Sequence, residues 1–498
     1  MKNDRILSLS IVACLSLGAC AVGPNYVKPA VAVPSAYKEN ADWHASDWSR
    51  ATPADAIVRG AWWKVFGDPM LDDLEAQVDV SNQSLAQAEA QYRQARALVG
   101  EARAAYFPTL DASASATRSG RYANAAGITL APGAPDSSHP ANSYLLSFDA
   151  SWVPDLWGRV RRTVEANVAN AQASAATLES TRLVLHSELA QDYLQLRITD
   201  EQKRLLDDTV AAYQRSLQLT QNQYDVGVAA RGDVVAAQAQ LKSAQAQAIG
   251  LGVTRAQLEH AVAVLVGKPP ADISIAVKKL TIQPPAIPVG VPSELLERRP
   301  DVAIAERQAA AANAQIGIAE SAYFPNLTLS ASGGYQSSSF AKWLTAPSRV
   351  WSLGPELAET LFDGGLRRAQ TAQARAGYDA AVANYREVSL AALQNVEDNL
   401  AALRILEAEA AVQAEAVQAS EQSLRIVLNQ YKAGTVSYLN VITAQTTAYA
   451  SESNAIVLLG TRLTDSVALI EALGGGWDAG DLPAARDISV KGPDAAKE

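Results

Sequence analysis

The chain has 498 residues, 48% of them hydrophobic, enough for a large core and about two to four ordinary domains. Its formal net charge of −10 argues against nucleic acid as a partner. The only cysteines, Cys14 and Cys20, lie at the very start, which leaves no disulfide framework and no cysteine metal site.

The first residues read as an export signal. Lys2 and Arg5 form a positive n-region, and Ile6–Leu17 is an apolar stretch too short to span a bilayer as a helix. It ends in Leu17-Gly18-Ala19-Cys20, which resembles the lipobox of bacterial lipoproteins, where the peptide is cut before the cysteine and the thiol is acylated. The alternative is an ordinary secretory signal with an incidental cysteine. Ala21 follows, not the aspartate that holds this class at the inner membrane, so the resemblance implies outer-membrane sorting. Residues 1–19 are expected to be a signal peptide, and 20–67 a lipid-anchored extended segment.

Further on, the chain repeats itself. Ala105–Ser115 reads AYFPTLDASAS, and Ala322–Ser332 reads AYFPNLTLSAS. Asn222–Gly227 (NQYDVG) returns as Asn429–Gly434 (NQYKAG), and Asp155–Arg162 has a looser echo in Thr360–Arg368. The landmarks keep their order, so two structural repeats are expected, 68–291 and 292–473, before a polar tail, 474–498. Each repeat predicts the same elements. A helix is stopped by Pro108 or Pro325, because proline lacks the amide and clashes with the preceding turn. A β-hairpin follows, 108–157 or 325–362. Then comes a long proline-free helix, 158–225 or 364–432, a glycine-containing turn, and a return helix, 233–266 or 440–473. At 1.5 Å per residue each long helix is a rod of about 100 Å. Such rods need partners along their length, so coiled-coil packing is expected, with two shorter helices end to end along each rod.

The hairpin segments alternate. Leu110, Ala112, Ala114 and Ala116 interleave with Asp111, Ser113, Ser115 and Thr117. Tyr144, Leu146, Phe148, Ala150 and Trp152 interleave with Leu145, Ser147, Asp149 and Ser151. Leu327, Leu329, Ala331 and Tyr335 repeat the pattern, and Arg349–Ala358 carries it weakly through Trp351, Leu353 and Leu357. Period two makes a ribbon with one apolar face. A soluble sheet packed on a core would read the same way. Strand lengths of about ten to twelve residues and the export signal point instead to a membrane barrel. So do the aromatics gathered at one strand end, Tyr106, Phe107, Trp157, Tyr323, Phe324 and Phe362, which match an interfacial girdle. Four strands cannot close, and an open edge in lipid leaves backbone groups unpaired, so copies of the chain must share the barrel. Two copies would give about eight strands around a filled interior, three about twelve around a channel, and the polar Ser/Thr-rich face favours the channel. The loops Tyr122–Ala141 and Gln336–Thr345 would face outside and the helices would hang into the periplasm.

Three motifs carry a family resemblance: CAVGPNYVKP from Cys20, WWKVFGDPMLDDL at Trp62–Leu74, and LLERRPDVAIAE at Leu295–Glu306. Together they resemble the TolC-type outer-membrane efflux factors, in the lipoprotein (NodT-like) branch, over nearly the whole chain before the tail. The resemblance implies a membrane α+β fold: a homotrimer with a twelve-stranded transmembrane β-barrel, four strands per chain, continuous with a periplasmic α-helical coiled-coil barrel. It implies a passive exit duct of a tripartite pump, with a periplasmic adaptor, an inner-membrane transporter and outer-membrane lipid as partners. In such proteins an Asp of the first half bonds to a Tyr and an Arg of the second half at the periplasmic gate. Here Asp233 and Tyr431 match, while Val436 stands at the Arg position. Asn440 and Thr443 stand where acidic residues often line the entrance. Tyr224, Gly227 and Gly434 mark the helix-turn tip and a possible adaptor contact. Plainer readings exist: Asp233 makes a good N-cap, Tyr224 and Tyr431 can simply pack between helices, and the glycines serve the turn.

The remaining candidates carry no chemistry. His44, His139, His186 and His260 are scattered and read as surface or satisfied side chains. Arg161–Arg162 and Arg367–Arg368 open long helices and read as solvated, with lipid headgroups or acidic neighbours as the alternative. No catalytic motif, cofactor site or metal spacing appears, so an enzyme is not expected. Two other functions fit part of the pattern: a type I secretion-like duct for proteins, and a lipid-anchored periplasmic coiled-coil scaffold.

Overall fold

The computed structural model describes residues 21–39, 60–120, 140–287 and 292–488. The export signal, Cys20, most of the first outer loop and the end of the tail lie outside the described residues.

A short 3-10 turn, Trp62–Phe66, leads into α1 (Pro69–Ser81) and α2 (Gln83–Ala104). Asp68 starts α1, its side chain accepting from the Met70 amide at 2.9 Å with Pro69 in the first turn. Asn82 ends α1 and caps α2, accepting from the Ser84 and Leu85 amides at 2.8 and 3.0 Å. Then come β1 (Thr109–Ser119), β2 (Ala141–Trp152), α3 (Arg159–Asp225) and α4 (Arg231–Leu265). The second half supplies α5 (Pro292–Arg298), α6 (Pro300–Ser321), β3 (Asn326–Ser337), β4 (Arg349–Ala358), α7 (Leu366–Lys432) and α8 (Tyr438–Ala472). The two rods, α3 and α7, have 67 residues each, and the return helices α4 and α8 have 35 each. Matched lengths let the halves stack side by side without an overhang.

Both rods start the same way. Gly158 and Gly365 take positive φ, +82° and +93°, where a side chain would be strained. Asp155 accepts from the Val160 and Arg161 amides at 2.9 Å each, and Asp363 from Gly365 and Arg367 at 2.9 and 3.2 Å. The loose sequence echo is thus a repeated carboxylate cap on the free amides of a long helix.

The rods do not stand alone. Along α3 pack α2, α4, α6 and α8, and along α7 pack α6 and α8. The main core sits at mid-height, where shorter helices end against the rods. There Trp62, Leu71, Leu189, Tyr193, Leu194, Ile198, Leu400 and Leu463 are fully buried. Toward the sheet the contacts turn small, as at Ala169, Ala310 and Ala311, which lets the backbones approach closely. The sheet runs in the order β1-β2-β3-β4, all pairs antiparallel, so the central β2–β3 pair ties the two halves together.

Candidate functional site

The sheet sets two unlike faces back to back. In register, Leu110, Ala150, Ala331 and Leu353 form one apolar row, and Ala112, Phe148, Gly333 and Trp351 the next. Trp351 is 81% exposed and Leu353 76%, far more apolar surface than a soluble sheet face leaves open. On the other face Asp111, Asp149, Ser332 and Ser352 share a row, and Ser113, Ser147 and Gly334 another. The hydroxyls bond across strands, Ser113 to Ser147 at 2.8 Å and Ser332 to Ser352 at 2.9 Å. Among the described residues the outer edges of β1 and β4 have no strand partner.

The six expected girdle aromatics all lie at the helix-side end of the strands. Trp157 stacks on Phe324 with centroids 4.8 Å apart, and its indole N–H donates to the Pro325 carbonyl at 2.7 Å. The Trp152 indole donates to the Tyr106 carbonyl at 3.0 Å, and Arg367 lies over the Tyr323 ring at 5.4 Å. Phe107 and Phe362 project outward, strongly exposed. A second aromatic group at the far end was not anticipated. Tyr144 meets Phe340 edge-on at 5.5 Å and Trp343 at 6.0 Å. Phe340 and Trp343, three apart just after β3, were the available signal, but the loop gave no reason to orient them.

At the opposite pole the rods turn into the return helices. Gly227 and Gly434 carry φ of +79° and +72°. In each turn the glycine amide bonds three residues back, to Tyr224 or Tyr431, and the next amide bonds five back, to Gln223 or Gln430. This is the left-handed cap that glycine permits, and it closes both repeats alike. Tyr224, Val226 and Val228 around the first turn, and Leu439 near the second, are exposed.

Behind the turns lies a small core of Ala237, Tyr431, Tyr438 and Val441. The Tyr431 hydroxyl donates to Thr220 Oγ1 at 3.2 Å, and the Tyr438 hydroxyl shares a 3.2 Å hydrogen bond with Ser216. Both bonds fasten the second half to α3. Burial pushes both phenols above their ordinary value, so both stay protonated. Val436 packs against this core. Asp233 is not the N-cap that the sequence suggests. The helix begins at Arg231, because Ala230 already has extended backbone, and Asp233 reaches back as its third residue to accept from the Ala230 amide at 3.3 Å. Among the described residues no hydrogen bond joins Asp233 to Tyr431; Asp233 acts on Tyr431 and Tyr438 through charge alone. Asn440 and Thr443 sit exposed on α8, with Thr443 bonded to its own helix at Leu439.

Two expectations about cations need correction. Arg162 is not solvated: it is buried against the N-terminal segment and pairs with Glu165 at 2.7 Å. Arg367 pairs with the capping Asp363 at 2.6 Å, which holds that carboxyl down at about 2. His186 is satisfied, but by Glu75 at 2.6 Å, and it stacks on Trp63 at 4.5 Å. Burial pushes the Glu75 carboxyl up to about 7, with the His186 hydrogen bond opposing the rise. Among the described residues no acidic, histidine or cysteine cluster could hold a metal ion, and no helix is long and apolar enough to cross a membrane.

A sheet with one apolar face and two open edges, set on rods of about 100 Å, is one part of a shared wall. The fold is that of a protomer of a trimeric outer-membrane channel, membrane α+β in class. The chain belongs to the outer membrane efflux protein family, whose family model matches residues 76–268 and 291–475. OpmQ of Pseudomonas aeruginosa, named a pyoverdine export outer membrane protein, is 31% identical over 481 residues, 96% of this chain and 98% of that one. Nodulation protein T of Rhizobium leguminosarum bv. viciae is 28% identical over 481 residues, 96% of this chain and 95% of that one. The solved outer-membrane channel OprN superposes with a TM-score of 0.82 at 30% identity, over 92% of this chain and all of that one. The protein is accordingly the outer-membrane channel component of a tripartite efflux pump, a passive conduit and not an enzyme, with its helical domain in the periplasm.

Proposed function

We propose that the duct carries small molecules, that it receives them from an inner-membrane transporter through a periplasmic adaptor, and that it is anchored by acyl chains on Cys20. The observation that carries the duct is the pairing of an apolar face with a hydroxyl- and carboxylate-lined one on a sheet whose two edges are free for neighbours. The apolar face would meet lipid and the polar one the lumen. Relatives named for pyoverdine export and toluene efflux favour small solutes as cargo. The anchor is supported by the N-terminal segment, which begins beside the girdle: the Val22 amide bonds to the Trp157 carbonyl at 3.1 Å.

The tip divides into two tasks in this reading. Tyr224, Gly227 and Gly434 shape the surface an adaptor would meet, and exposed Val226, Val228 and Leu439 offer it apolar contact. Asp233, Tyr431, Asn440 and Thr443 would border the gate, with the tyrosines holding α7 and α8 against α3.

The test is direct. Purified protein should run as a heat-labile trimer in dodecyl sulfate and give conductance steps in planar bilayers. It should leave native membranes together with an adaptor and a transporter. A water-soluble monomer without conductance would sink the reading.

A further inference from the structure

We propose that residues 21–39 form a strap that sets the height at which the lipid-bearing N-terminus meets the membrane, and that its seat on the helices, not the lipid, holds it there. The height assignment rests on the anchor reading for Cys20; the seat does not.

The upper clamp is Arg162 near the start of α3. Its guanidinium donates to the Val22 carbonyl at 3.2 Å, the Gly23 carbonyl at 2.9 Å and Asn25 Oδ1 at 3.0 Å. The side chain is 5% exposed, with Glu165 as its counter-charge. A buried cation is stable only while its donors are satisfied, so the rod and the strap need each other. Gly23, at φ +92°, lies on α6 so closely that an added Cβ would come within 2.4 Å of Gly317 Cα. Only a glycine facing a glycine allows that approach. Asn313 of α6 then holds the Pro24 carbonyl at 2.9 Å.

The lower clamp is on α7. The Lys38 and Glu39 amides donate to the Glu397 carboxylate at 2.7 and 3.1 Å, and Glu39 pairs with Arg404 at 2.6 Å. Tyr37 is buried in the main core. Pro24, Pro29 and Pro34 keep it extended, since each restricts itself and the residue before it. Clamped at both ends, and held from the second residue after Cys20, the strap fixes where the anchor sits.

The test uses a nitroxide spin label on Val27→Cys, a site 76% exposed, in the full-length trimer. The label should be immobilised in the parent and remain so in Cys20→Ala exported on an ordinary signal. It should lose its immobilised component in Arg162→Met. Gly23→Val, which changes the strap and leaves the helices their own packing, should do the same. An immobilised spectrum in Gly23→Val, or a mobile one in Cys20→Ala trimers, would overturn the seat. Mass spectrometry of the mature N-terminus reads acylation separately: missing acyl chains would end the height assignment, with the seat still judged by the labels.

Discussion

Asp111 and Asp149 stand opposite each other across the β1–β2 pair, on the polar face of the sheet. Like charges in directly paired positions cost roughly 0.2–1 kcal/mol, so the fold carries this pair at a loss. Ser147 eases it by donating to Asp149 Oδ2 at 2.7 Å. Strand Lys and Arg are missing from this face: Arg118 and Arg349 fall on the apolar rows, near the outer end.

With that face turned to the lumen, the channel should prefer cations. Replacing both residues, Asp111→Asn with Asp149→Asn, should lower the cation-to-anion permeability ratio several-fold in bilayer reversal potentials, while trimer stability holds or rises. An unchanged reversal potential would place these carboxylates away from the conduction path.

The tip should loosen when its cross-links go. Tyr431→Phe and Tyr438→Phe each remove a hydroxyl bond to α3, worth about 1 kcal/mol apiece. The double variant should leak more current at rest than the parent. Asp233→Ala combined with Tyr431→Phe should also leak more, since Asp233 both supports the start of α4 and lies near the tyrosines. Equal resting conductance in both double variants would remove the tip from the gate.

The aromatic contacts at the helix-side strand ends should matter for assembly. Trp157→Ala loses the stack on Phe324 and the bond to Pro325, together about 2 kcal/mol per protomer. The temperature at which the trimer dissociates in dodecyl sulfate should fall. A parent-like temperature would reduce these contacts to ornaments of a wall held elsewhere.

The Glu75–His186 pair makes stability depend on pH. A carboxyl at about 7 when folded and near 4.5 when unfolded binds more protons in the folded state. Its contribution is complete below the unfolded value and is lost as pH rises through about 7, by up to about 3 kcal/mol. Glu75→Gln should raise the denaturation midpoint at pH 8 and change it little at pH 5. Parallel pH profiles for the two proteins would show that Glu75 is not the titrating group.

Much of the architecture was legible because it is written in local terms. Alternation in Leu110–Thr117 and Tyr144–Trp152 marks ribbons, Pro108 and Pro325 stop helices, and the proline-free runs demand rods. Gly227 and Gly434 announce their turns because few other residues accept that backbone. The helix-turn tip was less readable. Asp233 looked like a cap and proved to be the third residue of the helix, because the last residue with extended backbone is Ala230, three positions earlier.

What the sequence determined by itself was the duplication, the two-faced ribbons and the need for partners at their edges. Each follows from periodicity and backbone hydrogen bonding within a few residues. Only the tertiary structure decided that Arg162 grips the N-terminal segment, that His186 finds Glu75 from 111 residues away, and that Asp111 faces Asp149. Those pairings depend on strand register and helix rotation, where a shift of one residue would bring different side chains together.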